Sequence, residues 1–117
     1  MPPFYDGSDK MFTINGITWY LAFVPSDSTY LMRSDGSITV GMTDWDRKTI
    51  YLNKMLRGAF KERVLCHELC HCVCFSYDIH MPIQTEELIC DFMSLYGKEI
   101  IYLLDDLLMV IQRRRSV

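Results

Sequence analysis

The chain has 117 residues, half of them hydrophobic, 23% charged, with a formal net charge of −3. That length suits a single domain over residues 1–117 with a real core, and so weak a charge is too small to imply a nucleic-acid or membrane partner, so neither is expected. No apolar run is long enough to span a bilayer and Met1–Gly7 lacks the apolar stretch of a signal peptide, so a cytoplasmic protein is the expectation.

The first half reads as β. Lys10–Ile14 and Ile17–Val24 are short runs of apolar, aromatic and β-branched residues around Asn15-Gly16, a strong two-residue hairpin signal. After the loop Pro25–Ser28, Thr29–Met32 offers another short strand before an Asp35-Gly36 turn. Ile38–Thr43 alternates Ile, Val and Met with Thr and Gly, and Thr49–Leu52 is the last strand. Short connections predict an antiparallel sheet of three to five strands.

The second half reads as α. A helix is predicted from about Ala59 to Tyr77, and it contains His67-Glu68-Leu69-Cys70-His71, an HExxH motif. Two imidazoles four residues apart share one helix face and can bind one metal ion. The Glu beside the first His can then reach a water on that metal and take its proton, the arrangement of a zinc-dependent hydrolase. Between Val64 and Phe75 the only strongly polar residues are His67, Glu68 and His71. A helix apolar all round belongs in a core, where two imidazoles and a carboxylate are costly unless paired or bound to metal. The competing reading is a buried helix whose histidines bond backbone carbonyls and whose Glu meets an Arg.

After a connection over Asp78–Ile83, Thr85 is placed to cap a further helix, with Glu86 and Glu87 in its first turn. Gly97 is a point where that helix could end or kink. The stretch Lys98–Arg113 continues with Ile100, Ile101, Leu103, Leu104, Leu107, Leu108 and Ile111, a pattern for core or for a homodimer contact. Arg113-Arg114-Arg115 reads as a solvated helix end complementing the macrodipole.

A catalytic zinc takes three protein ligands and leaves one position for water. A further His six residues after His71 would complete a metzincin pattern, but position 77 is Tyr77. His80 lies nine residues after His71, on a loop that could return. Glu87 is the stronger candidate, because Glu87-Leu88-Ile89-Cys90-Asp91 puts two carboxylates at i and i+4 among apolar neighbours. Glu87 can coordinate, and Asp91 can accept from the second ring nitrogen of a ligand His and fix its tautomer. Glu86 replaces Glu87 if the register slips by one, and all three acids also fit a solvated helix start. The five cysteines, Cys66, Cys70, Cys72, Cys74 and Cys90, are an odd set on helix faces and read as reduced thiols packed as small hydrophobes. Their spacing is not a zinc-finger pattern, and Cys72 points away from the His67/His71 face.

An HExxH helix followed by a second helix carrying E-xxx-D resembles the gluzincin metallopeptidases. The small size and element order are similar to minimal gluzincins and to the ImmA/IrrE-type metallopeptidases of phage and mobile elements. The resemblance covers roughly Ile38 to Gly97. It implies an α+β, zincin-like domain with the sheet packed on the HExxH helix. It implies Zn2+ on His67, His71 and Glu87, with Glu68 as general base and then acid, and Asp91 orienting a ligand His. It further implies that Ile38–Thr43 is a rim strand pairing with an extended peptide or protein substrate, a regulatory protein among the options. The alternative is a zinc-binding recognition module with little or no catalysis. No downstream His or Tyr matches the family's oxyanion donor, with Tyr77, His80 and Tyr96 as the candidates, and the larger C-terminal subdomain of full-size gluzincins has no counterpart.

Overall fold

The computed structural model describes residues 10–115, so Met1–Gly7, where a signal peptide would begin, lies outside the described residues. Strands β1 (Lys10–Ile14), β2 (Ile17–Val24), β3 (Gly41–Asp44) and β4 (Thr49–Asn53) form one sheet, followed by helices α1 (Gly58–Ser76) and α2 (Ile83–Arg115). The protein is α+β. No described helix is long and apolar enough to cross a membrane.

β1 and β2 are the antiparallel hairpin that Asn15-Gly16 predicts, with Ile14 opposite Ile17. Both turn residues take positive φ, 50° and 77°, as a type I′ turn requires. The hairpin also holds a helix end. Asn15 Nδ2 donates to the Ser76 carbonyl at 2.9 Å and Trp19 Nε1 donates to Ser76 Oγ at 2.8 Å, so the last turn of α1 is tied to the sheet.

The strand order is β1-β2-β4-β3. This corrects the antiparallel expectation: β2 and β4 run parallel, with Tyr20 opposite Thr49 and Val24 opposite Asn53, whereas β3 and β4 are antiparallel. The reason lies in the link between Val24 and Gly41, which crosses the back of the sheet to reach its far edge. β4 then returns between β2 and β3. Thr49, Ile50, Tyr51 and Leu52 are all buried, the mark of a strand covered on both faces.

Thr29–Met32 is not a strand. Thr29–Leu31 form a short 3-10 helix capped by Ser28, whose Oγ accepts from the Tyr30 N–H at 3.1 Å. This turn places Leu31 against Ala22, Val24 and Tyr51 on the back of the sheet. The strand expected over Ile38–Thr43 begins only at Gly41, and Ile38 makes an isolated bridge to Met32. On the front face Trp19, Ile50, Leu52, Leu56 and Cys72 make the main core, joined by Val64, Leu69 and Phe75 of α1.

α2 runs unbroken through Gly97, correcting the expected end or kink there. It starts earlier than Thr85. The Pro82 carbonyl accepts from the N–H groups of Thr85 and Glu86 at 2.9 and 3.1 Å, so Thr85 sits inside the first turn rather than at the cap. Lys98 Nζ meets Glu62 Oε1 at 2.6 Å near the start of α1. Beyond that point α2 outruns its partner helix, and the molecule measures 59 × 34 × 28 Å.

Candidate functional site

α1 presents His67 and His71 one turn apart on one face, with ring centroids 5.0 Å apart. The first turns of α2 lie across that face. Glu87 reaches both rings: Oε2 is 3.1 Å from His67 Nε2 and Oε1 is 2.8 Å from His71 Nε2. The outer nitrogens meet two other acids. Asp91 Oδ1 is 2.9 Å from His67 Nδ1, and Glu86 Oε2 is 2.5 Å from His71 Nδ1. The position expected of Asp91, beside the second nitrogen of a histidine, is thus taken by two acids. Asp91 faces His67 from an exposed position, and Glu86, the expected stand-in ligand, faces His71 from a buried one.

Glu68 lies on the neighbouring face of α1, buried against the sheet. Thr43 of β3 donates its hydroxyl to Glu68 Oε1 at 2.8 Å. The close approach of β3 to α1 depends on Gly41, where a Cβ would fall 2.6 Å from Val64 Cγ1 and 3.4 Å from Glu68 Cγ. Gly41, Met42 and Thr43 therefore line the same groove as His67, Glu68, His71 and Glu87, a hollow of about 200 Å³. Trp45 closes one end, 6.5 Å from the His71 ring and edge-on to Phe75 at 5.1 Å.

The donor chemistry tests whether an ion fits. A neutral imidazole has one N–H. With Nδ1–H donated to Asp91 and to Glu86, each Nε2 turns a lone pair toward the Glu87 carboxylate, which has only lone pairs to offer. In that tautomer two acceptor groups face each other at 2.8 and 3.1 Å, and the cation between them is either a second ring proton or a metal ion. Two ligands about 2.0 Å from one tetrahedral ion stand roughly 3.3 Å apart, close to both separations. The spacing of His67, His71 and Glu87 is thus one that a small metal ion would fit.

Cys90 is a second candidate third donor. Ligand atoms of His67, His71 and Cys90 all lie within 4.8 Å of one another. Cys90 is fully buried, and burial with the neighbouring Cys70 thiol pushes its pKa up in the absence of metal. Its position one turn after Glu86 on α2 is the signal by which it could have been found. Cys72 points into the core as expected, where burial first and the Glu68 charge second push its thiol up to about 12.

His80 is not brought to the site: its ring pairs with Asp78 at 2.7 Å, and both side chains are exposed. The oxyanion candidates Tyr77, His80 and Tyr96 are not among the residues lining the groove, whereas Arg33 is. No protein-family model matches the chain, and no curated protein or solved structure shows significant similarity to it.

Proposed function

We propose that the protein is a zinc-dependent hydrolase acting on peptide bonds, of the minimal gluzincin type that its two motifs resemble. The observation that carries this reading is the meeting of both Nε2 atoms on one carboxylate while both Nδ1 atoms are held by others. Bound there, Zn2+ would supply a Lewis acid and a water acidified toward neutrality. His67, His71 and Glu87 would hold the ion. Glu86 and Asp91 fix the imidazole tautomers so that Nε2 faces inward. Thr43 pins Oε1 of Glu68, leaving Oε2 to take a proton from the attacking water and return it to the leaving amine.

β3 supports a peptide as the substrate class. It is an edge strand and lines the groove beside Glu68. An extended chain can add to such an edge through backbone hydrogen bonds, with its scissile carbonyl set over the histidines.

The test is Glu68→Gln. The purified protein is expected to hold about one zinc per chain, and the variant to keep that zinc and its fold while peptide cleavage drops about 10²–10⁴-fold. Undiminished cleavage by a clean variant rejects the role. Absorption of the cobalt-substituted protein distinguishes the third ligand: a thiolate-to-metal charge-transfer band lost in Cys90→Ser would replace Glu87 by Cys90. One observation favours a second reading, a zinc-bearing recognition module: none of Tyr77, His80 and Tyr96 lines the groove. Saturable binding of unstructured peptides by the zinc-loaded chain, with no cleavage, would select it.

A further inference from the structure

We propose that the free half of α2 pairs antiparallel with the same segment of a second copy, about a twofold axis level with the Asp105–Asp106 peptide. From Lys98 to Arg113 the helix extends about 22 Å, whereas α1 has only about 6 Å left beyond Glu62. Among the described residues roughly 16 Å of α2, from about Tyr102 onward, therefore runs past α1, with Ile100 and Ile101 level with its first turn. This stretch and the turn before it are strongly apolar: the eight aliphatic side chains from Ile100 to Ile111 are each 44–60% exposed.

The sequence of this segment reads the same in both directions by residue class. Around the midpoint between Asp105 and Asp106, Leu104 mirrors Leu107, Leu103 mirrors Leu108, Ile101 mirrors Val110 and Ile100 mirrors Ile111. A twofold interface needs this self-complementarity, because each position meets its mirror position in the other copy. Ile100, Leu104, Leu107 and Ile111 follow the 4-3-4 spacing of an a/d seam and fall within about 60° of one another around the helix. Leu104 then packs on the partner's Leu107 and Ile100 on the partner's Ile111. Asp105 and Asp106 fall on the opposite side, directed away from the seam.

Pairing over these twelve residues removes on the order of 1,000 Å² of total surface, the lower bound for a specific interface. A parallel pair would bring the two Arg113 side chains together, whereas the antiparallel pair separates them to opposite ends. A lipid surface is disfavoured because an interfacial helix carries Lys and Arg along its polar face, and here the middle of that face is acidic.

The pairing does not depend on metal at the histidines and is tested on the full chain by sedimentation equilibrium. The parent protein is expected at twice 13.8 kDa. Leu104→Glu and Leu107→Glu are expected to weaken association at least tenfold, with unchanged far-UV circular dichroism because both positions are exposed and beyond α1. Orientation is read by cross-linking against the parent chain as blank: I100C mixed with I111C cross-links, and I100C alone does not. A monomer throughout the concentration range overturns the proposal, whether or not it binds anionic vesicles. So does a dimer indifferent to both glutamates, and so does self-cross-linking of I100C.

Discussion

His71 illustrates how the site is built from single side chains. It is buried, and Glu86 and Glu87, adjacent in sequence, take its two ring nitrogens from different sides. His67 repeats the pattern with Asp91 in the outer place, where water competes for the same bond. If the proposed zinc site is right, the two outer acids should differ in weight. Glu86→Gln is expected to lower zinc affinity by about 10–100-fold, because a buried ring loses its charged acceptor with no water to replace it. Asp91→Asn should cost clearly less. Competition against a chromophoric chelator measures both, and a larger loss for Asp91→Asn would reverse the assignment. The histidines and Glu68 were legible from the motif because i, i+4 spacing fixes a shared helix face in any fold. The division of labour between Glu86 and Asp91 was not, since it depends on the rotation of α2 against α1.

Among the elements, β3 and β4 set the groove. β4 occupies the centre of the sheet, a position its uninterrupted Thr-Ile-Tyr-Leu run suits because both faces are covered. β3 is left at the edge, and Gly41 lets it lie on α1 beside Glu68. Gly41→Ala is expected to destabilise the fold by about 1–3 kcal/mol, the range for overpacking a close contact. Val64→Ala in the same chain should restore part of that loss, because Val64 Cγ1 is the atom that a new Cβ meets first. Urea unfolding of the two single variants and the double variant gives the coupling. Strictly additive losses would show that Gly41 is needed for its backbone alone. The hairpin was legible from Asn15-Gly16, since a turn is a local matter. The parallel β2–β4 pair was not, because nothing within either strand records that the chain between them crosses behind the sheet.

For the molecule as a whole, titration of groups on both faces of the sheet should limit alkaline stability. Burial pushes Tyr51, on the back face, from 10.0 to about 12, and Cys72, on the front face, from 9.0 to about 12. Both are raised in the fold, so the unfolded chain releases these protons first. The stability they contribute is complete below about pH 9 and is lost as pH rises toward about 12. The midpoint of urea unfolding is expected to fall steeply over that interval, and Tyr51→Phe with Cys72→Ala should flatten the fall. An equally steep fall in that double variant would place the alkaline weakness in other groups.

The sequence by itself determined what is local or periodic: the hairpin turn, the two helices, the α+β class, and the projection of His67 and His71 from one side of α1. These follow from backbone sterics and the 3.6-residue repeat, which act within a few residues of chain. Only the tertiary structure decided the mixed sheet order, the assignment of Glu87 between the rings with Glu86 and Asp91 outside them, the nearness of Cys90, and the removal of His80 to an exposed pair with Asp78. Those outcomes depend on how far one element slides and turns against another, and that is set by packing among residues distant in sequence.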